Sequence, residues 1–162
     1  MEIEKLFAIQ KELNDRIVQE HHLMDRDLFK EQLLAFVVEI AELANETRCF
    51  KYWSLKLSSE RSVILEEYVD GLHFILTLGL TLNFTSVTVK EYNQQRPSVT
   101  DQFLFIMNQA HELDADRTQE KFQQLVDGFF TLGQQLGFSN EEIEKAYLVK
   151  NRVNHERQDS GY

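Results

Sequence analysis

The stretch ILEEYVDGLHFILTLGL (residues 64–80) decides the fold, because it is long enough for a helix yet polar along only one narrow stripe. From position 67 to position 82 its plainly polar residues recur at intervals of 3, 3, 4 and 4: Glu67, Asp70, His73, Thr77 and Thr81. Successive helical residues are about 100° apart, so these side chains cover roughly a third of the circumference. A surface helix shows the reverse balance. We therefore predict a helix that is buried on most sides and turns its polar stripe toward an internal cleft.

A second stretch, AFVVEIAELANE (residues 35–46), carries Glu39 and Glu42 among apolar neighbours. They share the i, i+3 spacing of Glu67 and Asp70, which directs both members of a pair to one side of a helix. Carboxylates beside core residues are costly unless a positive group lies between them. Oxygen ligands suit Mg²⁺ or Mn²⁺ better than Zn²⁺, and magnesium commonly meets substrate phosphates. The alternative is that both pairs lie on solvated helix faces, where Glu-x-x-Glu is common.

The 162-residue chain predicts one all-α domain, residues 1–162, built as a bundle of about six helices. A single proline and six glycines leave room for long uninterrupted helices. We expect helices at about 2–20, 28–47, 58–81, 101–113, 118–136 and 139–154, with an extended loop at 85–89 and a terminal loop at 157–162. Ser139 and Glu142 have the spacing of a capping box at the start of the last helix.

The bulk composition excludes several classes of protein. A formal net charge of −10 argues against binding along a nucleic-acid backbone, which requires clustered Lys and Arg. The one cysteine, Cys49, rules out an intramolecular disulfide, and we expect a reducing cytoplasm. The longest apolar run, residues 74–82, is too short to span a membrane, and the charged N-terminal segment does not have the pattern of a secretion signal.

Two further groups of polar residues have helical spacing. Gln10 and Asn14 are i, i+4, and their amides offer both donors and acceptors, which suits the edge of a base. Lys150, Asn154 and Arg157 are spaced i, i+4, i+7, and their charges and donors suit phosphate oxygens. The alternatives are a solvated face for the first group and a frayed polar helix end for the second.

Four segments together resemble the all-α nucleoside triphosphate pyrophosphatases, and within them the dimeric dUTPases most closely. They are LFAIQKELNDRI (6–17), EIAELANETRCFKYW (39–53), LEEYVDGLHFILTLGL (65–80) and YLVKNRVNHERQDSGY (147–162). Residues 83–137 contribute little to the resemblance. It implies Mg²⁺-dependent hydrolysis of dUTP, and also of dUDP, to dUMP, with pyrophosphate released from dUTP. It also implies that the protein is a homodimer, and that it binds a deoxynucleotide substrate rather than a nucleic acid or a membrane.

The resemblance assigns the two acidic motifs to the metal. Glu39, Glu42, Glu67 and Asp70 would hold magnesium ions that bridge the substrate phosphates. A water molecule polarised by the metals and by Glu42 or Glu39 would attack phosphorus, and the metals would neutralise charge on the leaving pyrophosphate. Both glutamates stay candidates for the base, and Glu46, one turn further on, is a weaker one.

The resemblance also implies substrate contacts. Gln10 and Asn14 would lie near the nucleoside, while Lys150, Asn154 and Arg157 would bind phosphate, with Tyr162 on a tail that closes over the nucleotide. Trp53 would wall off the base and Lys56 would meet phosphate, although Trp53 suits the core or a dimer interface equally well. His73 would orient a carboxylate or contact the deoxyribose, and a purely structural interior histidine is the alternative.

Three rival functions stay open at this point. A related enzyme could act on another nucleotide, such as dCTP or a damaged triphosphate, because pocket shape sets base identity. A non-catalytic nucleotide-binding or regulatory protein could use the same scaffold. A structural bundle whose carboxylates only face solvent is the third. The absence of Glu-x-x-His argues against a ferritin-like di-iron bundle.

Overall fold

The computed structural model describes residues 1–90 and 97–162, and within them the chain forms helices without a β-strand. In chain order these are α1 (Ile3–Glu20), α2 (Phe29–Thr47), α3 (Arg61–Leu82), α4 (Val99–Ala115), α5 (Gln119–Gln135) and α6 (Asn140–Asp159). The predicted all-α class and its six-helix count are therefore confirmed for the described part of the chain.

Helix α3 lies at the centre of the bundle and packs against α1, α2, α5 and α6, while α4 packs against α2 and α5. From Tyr68 to Leu78 its apolar side chains are buried, apart from the partly buried Phe74, which confirms the prediction drawn from its narrow polar stripe. Close packing also explains Gly79, because a Cβ there would lie 2.7 Å from the Phe7 ring and 2.8 Å from the Phe122 ring. Real Cβ contacts are longer, so a side chain at this position would push the helices apart.

A capping side chain is present at the start of three of the six described helices: Ser98 at α4, Thr118 at α5 and Ser139 at α6. The Ser139 hydroxyl accepts from the Glu142 amide while the Glu142 side chain accepts from the Ser139 amide, so the predicted capping box is confirmed. The predicted serine start of α3 is wrong. That helix begins at Arg61 after Glu60, whose side chain makes no capping bond. The hydroxyl and amide of Ser59 instead donate to the side chain and carbonyl of Glu46, which draws the serine away from the helix.

The end of α6 also differs from the prediction, because the helix runs on to Asp159 instead of becoming loop at Arg157. Its last turns are tied to α1. The Arg16 guanidinium donates to the His155 carbonyl at 3.2 Å and to the Asp159 carboxylate at 2.6 Å. These contacts span most of the sequence, so a local pattern does not reveal them.

The segment after α3 is extended but unpaired with a strand, as predicted for residues 85–89. Its backbone is satisfied by a side chain. The side-chain NH₂ group of Gln123 donates to the backbone carbonyl of Thr88 at 2.8 Å, and the backbone amide of Thr88 donates to Gln123 Oε1 at 3.1 Å. Among the helices that the structure describes, none combines the length and the apolar character that crossing a membrane requires.

Candidate active site

Helices α1, α2, α3 and α6 enclose a cavity of about 390 Å³. That volume is within the range of small-molecule sites. Its polar walls come from all four helices, and they include most of the site residues predicted from sequence: Gln10, Asn14, Glu39, Asp70, His73, Asn154 and Arg157, together with Thr77 and Tyr162. Gln32 and Gln158, which the sequence patterns did not single out, also line it, and apolar side chains such as Leu13, Ile17 and Phe74 complete the lining. Three residues of the polar stripe of α3, Asp70, His73 and Thr77, thus face an internal cleft. Glu67 at one end of the stripe is not among the lining residues, and Thr81 at the other end is exposed and donates to Gln32.

Three carboxylates meet beside this cavity and form what we call the carboxylate cluster: Glu39, Glu67 and Asp70, each offering an oxygen within 4.8 Å of the others. Burial, followed by the charges of Asp70 and Glu42, raises the pKa of Glu39 to about 7. Burial together with neighbouring carboxylates raises the pKa of Glu67, and burial raises that of Asp70. Grouped oxygen donors with raised pKa values fit a hard divalent cation, because a cation would remove the repulsion that disfavours ionisation.

Two other glutamates of α2 stand at the edge of the cluster. Glu42 is exposed, and its charge and hydrogen bond to Glu39 help to raise the pKa of Glu39. It does not share the group of oxygens formed by the other three carboxylates. Glu46 is held by Ser59, as described above, so its side chain ties the α2–α3 connection to α2.

Lys150 from α6 is the cationic neighbour of the cluster. Its ammonium donates to Asp70 Oδ2 at 2.9 Å and to Glu66 Oε1 at 3.1 Å. The side chains of Lys150 and Asp70 are only 13% and 18% exposed, whereas Glu66 is 63% exposed. Burial lowers the pKa of Lys150, but the hydrogen bonds to the two carboxylates outweigh it, so the net shift is upward. In this structure Lys150 therefore partly neutralises Asp70.

A second polar group, which we call the amide–imidazole network, lines the cavity wall formed by α1, α3 and α6. Gln10 Oε1 lies 2.7 Å from His73 Nδ1 and accepts from the Tyr147 hydroxyl at 2.9 Å. The Gln10 amide donates to Asn14 Oδ1 at 2.9 Å, and the Thr77 hydroxyl donates to the same oxygen at 3.2 Å. Burial lowers the pKa of His73 to about 3, so the ring is neutral.

These contacts define which hydrogen-bonding groups are used inside the protein. Because Gln10 Oε1 can only accept, His73 Nδ1 carries the ring proton and Nε2 is an acceptor. Nε2 is buried without a hydrogen-bond partner among the described residues. Asn14 Oδ1, by contrast, accepts from both Gln10 and Thr77. The NH₂ group of Asn14 is therefore left for a ligand in the cavity. The network therefore fixes side-chain orientations before any nucleotide binds.

Tyr147 is the member of this network that the sequence patterns did not single out. It is fully buried, and its ring stacks on His73 with centroids 4.4 Å apart. One signal was present: Tyr147 precedes Lys150 by three residues and Asn154 by seven, so it shares their face of α6. An aromatic residue at that spacing is also typical of a core, so the pattern alone does not distinguish a site residue from a packing residue.

The C-terminal residues approach the cavity from α6. Asn154 and Arg157 line it, as does Tyr162, whose ring lies 5.3 Å from the Arg157 guanidinium carbon. The Tyr162 amide also donates to the Arg157 carbonyl at 3.0 Å. Because the Arg16 contacts hold this end of α6 against α1, the predicted phosphate-binding residues have a defined position.

Three residues that the resemblance associated with substrate are not among those that line the cavity: Lys150, which pairs with Asp70 as described above, Trp53 and Lys56. Trp53 is 64% exposed and packs edge-to-face against Tyr52, with ring centroids 5.1 Å apart. Lys56 is exposed, and its carbonyl accepts from the Arg48 guanidinium at 3.0 Å. The α2–α3 connection that carries Trp53 and Lys56 is therefore held near the C-terminus of α2. Trp53 does not belong to the core of this chain.

Fold and site together define an all-α domain in which clustered carboxylates adjoin a cavity lined by amides, an imidazole and a guanidinium. Such a site suits an anionic ligand that also carries hydrogen-bonding groups. Residues 2–162 match the dUTPase family designated dUTPase_2, which is nearly the whole chain. The chain belongs to this dUTPase family, and dUTP diphosphatase activity follows from that membership. No curated protein matches the sequence.

Proposed function

We propose that the protein hydrolyses dUTP, and also dUDP, to dUMP with Mg²⁺ as the cofactor, and that dUTP yields pyrophosphate. Mn²⁺ is an alternative metal. We further propose that residues 1–162 work as one domain within a cytoplasmic homodimer, and that neither nucleic acid nor membrane is a partner. The observation that carries the proposal is the shared position of Glu39 and Asp70, which belong to the carboxylate cluster and also line the cavity.

The carboxylate cluster would hold the metal through Glu39, Glu67 and Asp70, with Glu42 next to Glu39 at the exposed edge. Bound there, Mg²⁺ would supply electrostatic stabilisation of the phosphate charge that develops during hydrolysis. The protein's own contribution begins with placement of the polyphosphate beside these carboxylates. Arg157 and Asn154 reach the cavity from α6 and would bind phosphate oxygens, while Lys150 lies next to Asp70 for the same purpose.

Glu39 is our choice for the general base, with Glu42 as the alternative. Its carboxylate lines the cavity and belongs to the carboxylate cluster, so a water molecule bound there would lie within its reach. Glu39 would take a proton from water as the water oxygen bonds to the phosphorus retained in dUMP. The bond from that phosphorus to the leaving pyrophosphate oxygen breaks in the same displacement.

The amide–imidazole network would receive the nucleoside. The free NH₂ group of Asn14 and the lone pair of His73 offer a donor and an acceptor, which can pair with the polar edge of uracil or with the sugar hydroxyl. Trp53 and Lys56 stay predictions as substrate contacts, because both lie outside the cavity of this chain.

Pyrophosphate release across the four common deoxynucleoside triphosphates and dUTP, with and without Mg²⁺, tests the proposal. We expect turnover of dUTP that requires the metal. Turnover of dCTP instead of dUTP would replace the substrate in the proposal, and no turnover of any triphosphate would favour a nucleotide-binding protein. Light scattering during gel filtration tests the homodimer, and a monomeric mass at working concentration would contradict it.

Closure of the C-terminal tail is tested by limited proteolysis. Tyr162 already lines the cavity, so we propose that bound nucleotide fixes it further. A nonhydrolysable dUTP analogue should then slow cleavage after α6. Equal cutting rates with and without the analogue would contradict closure.

A further inference from the structure

Lys150 lies between two carboxylates that differ in burial. Asp70 is mostly buried and belongs to the carboxylate cluster, while Glu66 is largely exposed and does not. The ammonium lies within hydrogen-bond distance of both, at 2.9 Å and 3.1 Å. A small displacement of one flexible side chain can therefore move the positive charge from Asp70 to Glu66.

The two carboxylates lie on successive turns of α3. Glu66 is four residues before Asp70, so both point toward α6 where Lys150 approaches. Lys150 and Glu66 also border a groove between α3 and α6, which shares Arg157 with the cavity described above. Glu66 thus offers the ammonium a place that is outside the cluster but still beside it.

An ammonium paired with Asp70 competes with any cation that needs the same oxygen. A protein cation left beside a bound divalent ion would also be repelled, since like charges a few ångströms apart disfavour each other. Glu66 offsets the cost of separating the ammonium from Asp70, because an ammonium that leaves Asp70 keeps Glu66 as a carboxylate partner. Releasing Lys150 from Asp70 would also free its donors for phosphate, the role that the sequence predicts for it.

We propose that Lys150 is a built-in counterion for Asp70 and that Glu66 is the positioning residue that receives Lys150 when a divalent cation binds the cluster. The inference rests on the proposed metal-dependent function. It predicts that Lys150 opposes metal binding and that Glu66 favours it. It also predicts that Glu66 acts through Lys150, and not merely as a nearby negative charge.

A double-mutant cycle on metal affinity tests this directly. The affinity of the nucleotide-free protein for Mn²⁺ is measured by electron paramagnetic resonance of the free ion in the wild type, Lys150→Met, Glu66→Gln and the double variant. We expect Lys150→Met to tighten binding and Glu66→Gln to weaken it, each about five- to tenfold, as is typical of coupled charged neighbours. In the Lys150→Met background, Glu66→Gln should have little effect.

Matched variants separate the proposal from simple electrostatics. Lys145→Met removes an exposed positive charge one turn earlier on α6, and Glu144→Gln removes a negative charge beside it; neither should change Mn²⁺ affinity appreciably. Equal effects of Glu66→Gln in the two backgrounds would overturn the role of Glu66, because a plain charge effect is additive. Unchanged affinity in Lys150→Met would overturn the counterion role.

The outcome also distinguishes this inference from the proposed function. A wild-type protein that binds no Mn²⁺ would contradict the metal-dependent function itself. A wild-type protein that binds Mn²⁺ while the three variants of the cycle show no coupling would leave that function standing and reject only the exchange of Lys150. Thermal unfolding of each variant, followed by circular dichroism, establishes that all three are folded.

Discussion

The amide–imidazole network and the carboxylate cluster share helix α3, yet their side chains are stabilised in opposite ways. In the network, Gln10, Asn14 and Thr77 satisfy one another through neutral hydrogen bonds, and the ring of His73 carries no charge. In the cluster, like charges face one another, and Lys150 offsets them through its ion pair with Asp70. One end of the cavity is organised by its own hydrogen bonds, whereas neighbouring carboxylates repel one another at the other end.

This difference has a functional meaning. Neutral, hydrogen-bonded groups recognise a nucleoside by direction, and prior organisation reduces the ordering cost of binding. Clustered carboxylates disfavour the metal-free state, so that binding of a cation relieves repulsion and also supplies new bonds. The comparison predicts that substitutions in the cluster affect catalysis and metal dependence, and that substitutions in the network affect organisation of the nucleoside end.

The largest expected effect comes from Glu39→Gln, which removes the proposed base and a metal ligand together. We expect the rate of dUTP hydrolysis to fall about 10³-fold or more, because removal of a general base alone costs 10²–10⁴-fold. The measurement is kcat with saturating Mg²⁺. Glu12→Gln, at an exposed position of α1, is the control and should retain wild-type activity. A fully active Glu39→Gln enzyme would transfer the proposed role to Glu42.

A second prediction concerns pH and stability without metal. The folded protein raises the pKa of Glu39 from 4.5 to about 7, so it binds the proton more tightly than the unfolded chain does. The contribution of Glu39 to stability is therefore fully present below the unfolded-chain pKa of 4.5. It is lost as pH rises through the folded-state pKa of about 7. After allowance for solvent screening, we expect a loss of about 1–2 kcal/mol.

Urea unfolding with a chelator, compared between wild type and Glu39→Gln across this pH window, measures that loss. The variant should become the more stable of the two as pH rises, and Mg²⁺ should restore the wild type. If the difference between the two proteins does not change with pH, the cluster is not under the electrostatic strain inferred from its geometry.

A third prediction concerns the neutral end of the cavity. Tyr147→Phe removes the hydroxyl that donates to Gln10 but keeps the ring that stacks on His73. We expect a loss of about 1–2 kcal/mol in unfolding free energy, typical of a buried hydrogen bond whose acceptor keeps one partner. The ¹⁵N signals of His73 should also shift, because Gln10, which accepts from His73 Nδ1–H, loses the second donor that holds its side chain.

Tyr68→Phe is the matched control, because Tyr68 is also fully buried and its hydroxyl donates to the Phe129 carbonyl at 3.0 Å. It should cost similar stability and leave the His73 signals unchanged. Identical His73 spectra in both variants would show that Tyr147 does not control the ring.

The smallest effect is expected outside both regions, at Trp53. Because the side chain is largely exposed, Trp53→Ala should change the unfolding free energy of a single chain by less than about 0.5 kcal/mol. A fall in activity or a shift toward monomer without a change in chain stability would assign this exposed aromatic residue to substrate or to the dimer. A large loss of stability would contradict its exposed position.

The sequence was most informative where a single helix carried the pattern. The stripe on α3 predicted both its burial and the inward direction of Asp70, His73 and Thr77, since helical periodicity is a local property. It was less informative where two distant segments meet. The continuation of α6 past Arg157 depends on Arg16, and the role of Tyr147 depends on Gln10, which lies 137 residues earlier.

The contacts of Lys150 likewise depend on segments that are far apart in the sequence. Its spacing predicted a phosphate-binding face, but the ion pair with Asp70 depends on how closely α6 approaches α3. The loop that carries Trp53 and Lys56 illustrates a further case. Its placement follows from hydrogen bonds of Arg48 and Glu46 to loop atoms, which spacing along the chain does not encode.

The meeting of α1 and α6 at one wall has a consequence for synthesis of the protein on the ribosome. Gln10 leaves the exit tunnel early, but Tyr147 emerges only when nearly all of the chain has been made. Until then the Gln10 side chain lacks a partner that it has in the finished fold. Chains that stop before α6 would therefore lack the part of this wall that α6 supplies, so ligand capture would report completed translation as well as correct folding.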